Sequence, residues 1–317
     1  MAKMKKNKKQ TFSKTKKRKI KNKLPVITEK IKQKDESSPT QKNKEEVGWL
    51  NIRVFVLLGI IFLITQVIGL FVANSLIAQG FAQAPFTDDI NDPLNSIYLF
   101  FVIIGMTIAI LLALRFKRQR NFLWIIEALA IFVTSTVVFS SFIFDDLIVL
   151  LLAILILVWR YTHRKSVWFR DIVGIIAIAG AGSFIGISLG IIPIIIFIII
   201  LATYDMIAVF GTKHMLTIGK SVVKNNFAFT IAMPTKKHTF ELGNGDLVIP
   251  LMTASSVLAN GFFANNILVA GMVLVASFIG LVISIYIVSV KKIALPALPP
   301  QTVLMLVVLF LAMLIGL

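Results

Sequence analysis

Nine apolar runs, separated by short polar stretches, occupy most of the chain beyond about residue 54. Most approach the roughly 20 apolar residues that a helix needs to cross the hydrocarbon core of a bilayer. The fourth run is short and begins at Asp145-Asp146, so its limits are the hardest to place. The pattern predicts an all-α membrane protein with nine transmembrane helices, near residues 54–78, 96–114, 122–143, 145–159, 171–189, 191–210, 245–263, 266–290 and 294–316.

The positive charges give these segments one orientation. With nine spans, all Lys and Arg residues fall on one face of the membrane, whereas the opposite loops carry only acids or no charge. Because Lys and Arg are enriched in cytoplasmic loops, the N-terminus is predicted to be cytoplasmic and Leu317 extracytoplasmic. We therefore expect a multi-pass integral protein of the cell membrane.

Residues 1–49 differ from the rest of the chain. They are rich in Lys, Asn, Gln, Ser and Thr and lack apolar periodicity, which predicts a disordered, basic cytoplasmic tail. Contact with anionic lipid explains the charge better than nucleic-acid binding, so no nucleic acid is expected as a partner. Residues 50–317 form the predicted membrane domain, and a cytoplasmic loop at 211–244 joins its sixth and seventh segments.

Several chemistries are disfavoured by composition. The chain has no cysteine, and its three histidines lie beside charged residues outside the apolar runs. A cysteine nucleophile and a cysteine metal site are therefore excluded. Without an intramembrane histidine or a His-Glu-x-x-His pattern, a serine or metal intramembrane protease is disfavoured. No metal or cofactor is expected.

Two aspartates, Asp205 and Asp246, lie within apolar sequence. A carboxylate in hydrocarbon costs at least roughly 2.5 kcal/mol, so a chain that retains two of them is expected to use them. Asp205 lies near the inner end of the sixth segment, and Asp246 begins the seventh, which returns in the opposite direction. Both are therefore predicted at a similar shallow depth near the cytoplasmic face.

Paired carboxylates in a site of low dielectric do not both ionise easily, so one keeps a proton while the other acts as a base. This arrangement suits amide hydrolysis: the base deprotonates a water, the acid protonates the carbonyl oxygen, and a tetrahedral diol forms. Because the protons belong to the pair, neither aspartate is assigned permanently as acid or base.

Other irregular features accompany the aspartates. Gly243 and Gly245 remove side chains beside Asp246, which would let another backbone or helix approach, although a plain helix start has the same pattern. Tyr204 would donate a hydrogen bond to the site or serve as an interfacial anchor. The stretch 295–300, Leu-Pro-Ala-Leu-Pro-Pro, cannot continue an ordinary helix and would line a cavity or cap a helix start.

Together these pieces resemble the presenilin and signal peptide peptidase family of intramembrane aspartyl proteases. The family hallmarks are Tyr-Asp in the sixth helix, Gly-x-Gly-Asp in the seventh and Pro-Ala-Leu at the ninth. They read here Tyr204-Asp205, Gly243-Asn244-Gly245-Asp246 and Pro296-Ala297-Leu298. The resemblance covers about residues 50 to 317. It implies an aspartic endopeptidase that cuts transmembrane segments or remnant signal peptides, with Asp205 and Asp246 as the catalytic pair and Pro296 to Leu298 contacting substrate.

Some details indicate which members of that family the chain resembles most. The predicted orientation resembles presenilins, and the long acidic loop of animal presenilins is missing. Asn244 stands where the family usually has Leu, which would affect substrate preference. The resemblance therefore implies a compact microbial, archaeal homologue that works without accessory subunits.

The loop at 211–244 contains a second pattern. Large residues at every second position alternate with small ones, which is typical of a strand: Phe227, Phe229, Ile231 and Met233. We expect this strand, or backbone near Pro296, to pair with an unwound substrate segment, with Phe229 and Ile231 contacting substrate. An interfacial loop with incidental alternation is the alternative.

Two other functions remain open at this point. Prepilin-type peptidases also use Gly-x-Gly-Asp, but their motif does not account for the Tyr-Asp and Pro-Ala-Leu placements. A channel or transporter would use Asp205, Asp246 and Glu127 to relay ions or protons. No internal repeat supports a transporter, and Glu127 is better explained as a snorkelling or hydrogen-bonded residue.

Overall fold

The apolar runs become helices in the computed structural model, which describes residues 42–113, 119–212, 227–234, 239–291 and 296–317. These ranges contain nine α-helices and two strands. The helices are α1 Lys42–Ala78, α2 Leu94–Ala113, α3 Gln119–Ser140, α4 Asp146–Thr162, α5 Val167–Ile187, α6 Ile191–Met206, α7 Gly245–Asn260, α8 Asn266–Lys291 and α9 Leu298–Ile315. The strands are β1 Thr230–Pro234 and β2 Thr239–Gly243. The site described below lies in the unit Arg53–Leu317.

Each helix corresponds to one predicted run, although α1 begins at Lys42 and so includes residues 42–49 of the segment predicted to be disordered. Six helices of the described ranges, namely α1, α3, α5, α6, α8 and α9, are long and apolar enough to cross a membrane. The crossing of the membrane by α2, α4 and α7 stays a prediction. The run expected at 171–189 begins earlier, at Val167, so Arg170 and Asp171 lie inside helix α5.

Helix α7 is the interior helix of the bundle. It has only 16 residues, and its middle part, from Ile249 to Val257, is buried without interruption. Helix α5 approaches it closely because Gly182 and Gly186 are spaced four apart on one face. A Cβ atom on Gly186 would lie 2.5 Å from the carbonyl oxygen of Met252. This close packing holds the helix that carries Asp246 in a fixed position.

The two strands form an antiparallel hairpin that leads directly into α7. Ile231 lies opposite Leu242, and Thr230 lies opposite Gly243. The strand expected at 227–233 is confirmed in its second half, because β1 begins at Thr230. The rest of the loop at 211–244, between Thr212 and Phe227 and between Pro234 and Thr239, lies outside the described residues, as does the predicted tail up to residue 41.

Candidate active site

Asp205 lies at the end of helix α6, one residue before Met206, and its side chain is only 8% exposed. The chain continues beyond it as a π-helical turn, Ile207–Thr212. Single π-helical turns are rare in proteins, and those that occur are often found at functional sites. Helix α6 is apolar throughout apart from the end that carries Thr203, Tyr204 and Asp205, so the carboxylate is placed where the spanning segment meets its polar terminus.

Asp246 is the second residue of helix α7 and lies in its first turn. Its carboxylate and that of Asp205 are close enough to interact electrostatically. The two aspartates, 41 positions apart by their numbers, therefore meet at one end of the bundle, as the opposite directions of the two segments predicted.

The Pro-Ala-Leu stretch reaches the same place. Ala297 is the N-cap of helix α9, and the backbone N–H of Leu298 is directed at the Asp205 carboxylate as a hydrogen-bond donor. Pro299 and Pro300 occupy the first turn of α9, where a missing N–H leaves no helix hydrogen bond unmade. The stretch is thus a proline-rich helix start and also a neighbour of the aspartate.

The glycines beside Asp246 face open space. A Cβ atom on Gly243 would meet only Asp246 Oδ2, at 3.7 Å, and one on Gly245 would meet nothing within 4 Å. Gly245 is exposed. Among the described residues no neighbouring element fills this space, so the approach of another backbone or helix beside these glycines stays a prediction.

The other predicted site residues make contacts within the protein. The ring of Tyr204 packs edge-on against Phe100 of α2, with ring centroids 5.9 Å apart, so the role of its hydroxyl stays a prediction. Ile231 is completely buried and lies against Gly174 of α5. Phe229 is partly buried beside Phe227. The prediction that Ile231 contacts substrate is wrong, because its side chain belongs to the protein interior.

Sequence reasoning missed how charged residues hold the hairpin. The N–H of Ala228 donates to Glu127 Oε1 (2.9 Å), and that of Ala232 donates to Asp171 Oδ1 (3.1 Å). Glu127 is therefore hydrogen-bonded, as expected. Its position inside an apolar run was a signal, but nothing in the sequence identified its partner, because the contact spans 101 residues.

The site has no evident metal-binding group. Within the described residues, no cluster of three or more His, Asp or Glu side chains could hold a metal ion. The chemistry that this arrangement offers is acid and base catalysis by two carboxylates, assisted by a backbone donor and by the open space beside Asp246.

Residues 59–315 match the family model described as signal-peptide peptidase, presenilin aspartyl protease. None of the curated proteins matches the chain. A solved structure of a presenilin family intramembrane aspartate protease in space group C222 is similar with a TM-score of 0.61 and 21% identity, covering 82% of this chain and 99% of that one.

A second structure of a presenilin family intramembrane aspartate protease, in space group P2, has a TM-score of 0.57 and 20% identity, over 81% of this chain and 96% of that one. At such identities, the structural likeness shows the fold. The family model covers most of the chain, and its range includes Tyr-Asp, Gly-x-Gly-Asp and Pro-Ala-Leu. The chain therefore belongs to the signal-peptide peptidase and presenilin aspartyl protease family, whose members are intramembrane hydrolases.

Proposed function

We propose that this protein is an aspartic endopeptidase that hydrolyses peptide bonds within the transmembrane segments of membrane proteins or remnant signal peptides. The proposal assigns catalysis to Asp205 and Asp246. One observation carries it: the two carboxylates interact at one end of the bundle, and the Leu298 N–H is directed at one of them. Three sequence motifs that are far apart in the chain thus converge where an acid and a base are needed.

The proposed reaction uses one proton held by the pair. The ionised aspartate removes a proton from a water molecule, whose oxygen attacks the substrate carbonyl carbon, while the protonated aspartate gives its proton to the carbonyl oxygen. The resulting diol collapses when the C–N bond breaks and the leaving nitrogen takes up a proton from the pair. A fixed backbone donor at Leu298 would hold one carboxylate in place during this exchange.

The hairpin suggests how substrate is presented. In an antiparallel pair, residues that bond to the partner strand alternate with residues whose backbone groups point outward. Because the N–H of Asn244 donates to the carbonyl of Phe229 (3.1 Å), the backbone groups of Gly243 and Glu241 face away from β1. Among the described residues no further strand pairs with β2. A substrate segment added there would replace the hydrogen bonds lost when its helix unwinds.

This geometry changes the expectation that β1 pairs with substrate. One edge of β1 is used by β2, and on the other edge the N–H groups of Ala228 and Ala232 are taken by Glu127 and Asp171. The open edge belongs to β2 and ends at Gly243, three residues before Asp246. Substrate bound on β2 would therefore be led to the aspartates.

The topology forms part of the proposal. Nine crossings with a cytoplasmic N-terminus would place the aspartates near the cytoplasmic face of the cell membrane, because Asp205 lies at the inner end of α6. Cleavage is then expected near the cytoplasmic edge of a single-span substrate. We further propose that no accessory subunit is required.

The test is cleavage of a single-span peptide by purified protein in liposomes. Asp205→Asn and Asp246→Asn should each abolish cleavage, while the melting temperature stays close to that of the unaltered protein. Asp88→Asn, which changes an exposed acid outside the site, is the matched control and should keep full activity. An active Asp205→Asn or Asp246→Asn protein would reject the proposed dyad. Ion flux that survives both changes without proteolysis would favour a channel.

A further inference from the structure

The backbone of Ala228 is held on both sides of its Cα atom. Its N–H donates to Glu127 Oε1 on α3 (2.9 Å), and its C=O accepts from Asn244 Nδ2 (2.9 Å). These partners come from opposite directions in the sequence, 101 residues before Ala228 and 16 residues after it. A single residue thus connects helix α3 to the start of α7.

Glu127 is itself held by a buried arginine. Arg160 of α4 donates to the same oxygen through Nε (3.1 Å) and Nη2 (3.0 Å), and the two side chains are only 2% and 1% exposed. The second carboxylate oxygen, Oε2, has no hydrogen-bond partner among the described residues. The hydrogen bonds that described residues make to Glu127 therefore converge on Oε1, which fixes the position of the oxygen that receives the Ala228 N–H.

Asn244 connects Ala228 to the first turn of α7, which carries Asp246. It is the N-cap of α7, and its carbonyl accepts from Leu247 N (3.1 Å) and Val248 N (2.9 Å). Its own N–H donates to Phe229, next to Ala228. Asp246 lies two residues beyond Asn244, within the same turn. A shift of Ala228 would therefore move the turn that carries the carboxylate.

We infer that Glu127 and Arg160 are positioning residues for Asp246, which they control through Ala228 and Asn244. The inference rests on the proposed function and deepens it. Neither side chain is placed to touch substrate, so both act at a distance by fixing the first turn of α7. It also gives a role to Asn244, the residue that departs from the Leu usual in this motif: its amide supplies the donor that an aliphatic side chain lacks.

The test measures cleavage of the single-span peptide by the full-length protein carrying Glu127→Gln. Glutamine keeps the size and one acceptor oxygen but loses the charge that holds Arg160. We expect kcat to fall about 10-fold or more, as for small displacements of a catalytic group, with KM within about twofold of the original. The control is Ser135→Ala, a change at another buried polar residue of α3 whose hydroxyl has no partner in the described part of the chain, and it should be neutral.

A double variant separates positioning from general damage. If Glu127 acts through Asn244, the kcat loss of Glu127→Gln combined with Asn244→Ala should be close to the larger single loss. Losses that multiply would overturn the inference, as would full activity of Glu127→Gln. If Glu127→Gln does not fold, Asn244→Ala alone decides: it must lower kcat about 10-fold, and unchanged kcat would overturn the proposal.

Hydrogen exchange supplies a measurement that does not depend on catalysis. Asn244→Ala, and Glu127→Gln where it folds, should increase amide exchange in residues 227–234 and 244–248 without affecting α8. Unchanged exchange would overturn the link. If the unaltered protein cuts no peptide, the proposed function fails, while the exchange experiment still decides whether these residues hold the start of α7.

Discussion

Arg170 donates to both carboxylate oxygens of Glu241, with Nη2 at 3.3 and 3.1 Å from Oε1 and Oε2. This bond joins the first turns of helix α5 to strand β2. Arg170 is almost completely buried and also contacts the carboxylate of its neighbour Asp171 (3.3 Å). Thr230 donates to Glu241 across the hairpin (2.6 Å). The buried ion pair with Arg170 and the hydrogen bond from Thr230 thus hold strand β2, whose outer edge is proposed to receive substrate.

Glu241→Ala should weaken both the fold and substrate binding. It leaves Arg170 with Asp171 as its remaining acidic partner among the described contacts, and we expect a loss of about 1–3 kcal/mol in the free energy of unfolding. The KM for a single-span peptide should rise because β2 is no longer held. Denaturation in detergent and steady-state cleavage provide the measurements. Glu241→Gln keeps an acceptor and should give a smaller effect; equal effects would argue against the bond.

Leu298→Pro should lower kcat more than Leu298→Ala. Proline removes the N–H that is directed at Asp205 but fits the first turn of a helix, whereas alanine keeps the N–H and loses only side-chain contacts. We expect a difference of about 10-fold or more in kcat, since removal of one fixed donor at a reacting group has effects of this order or larger. Similar rates for the two variants would show that the backbone donor is unimportant.

Gly243→Pro should abolish binding to the proposed edge, while Gly243→Ala should be tolerated. The N–H of Gly243 faces away from β1, so proline removes a donor that substrate would use. A Cβ at this position meets only Asp246 Oδ2, at an ordinary contact distance. Crosslinking of a labelled peptide reports binding apart from cleavage. Undiminished crosslinking to the proline variant would rule out pairing at Gly243.

Gly280→Ala should displace the start of α9. The added Cβ would lie 2.7 Å from Gln301 Cα and 2.9 Å from the carbonyl carbon of Pro300, and backbone atoms cannot rotate away. We expect about 1–3 kcal/mol lower stability and slower cleavage, because Leu298 moves with this turn. Gly271→Ala on the same helix meets nothing within 4 Å and should stay within about 1 kcal/mol of the original stability. Equal melting temperatures for both variants would contradict the expected clash.

The sequence by itself determined the helical segments and the family, and it indicated the candidate chemistry. Apolar run length is a local property, so all nine helices of the described ranges were located from it. The acids were recognisable because a carboxylate is costly in lipid. Opposite directions of two consecutive segments sufficed to predict that Asp205 and Asp246 lie at one end of the bundle. The alternating residues before α7 likewise indicated a strand, although β1 begins only at Thr230.

Only the tertiary structure decided how the hairpin is held and which side chains are available. The alternation of large and small residues indicated a strand around Ile231 but did not show which face of that strand is buried. Packing against α5 places the Ile231 side chain in the protein interior. Pairing of Glu127 with Arg160 and Ala228 depends on the approach of three elements that are distant in sequence. Such contacts follow from the packing of whole helices, which no local pattern of residues encodes.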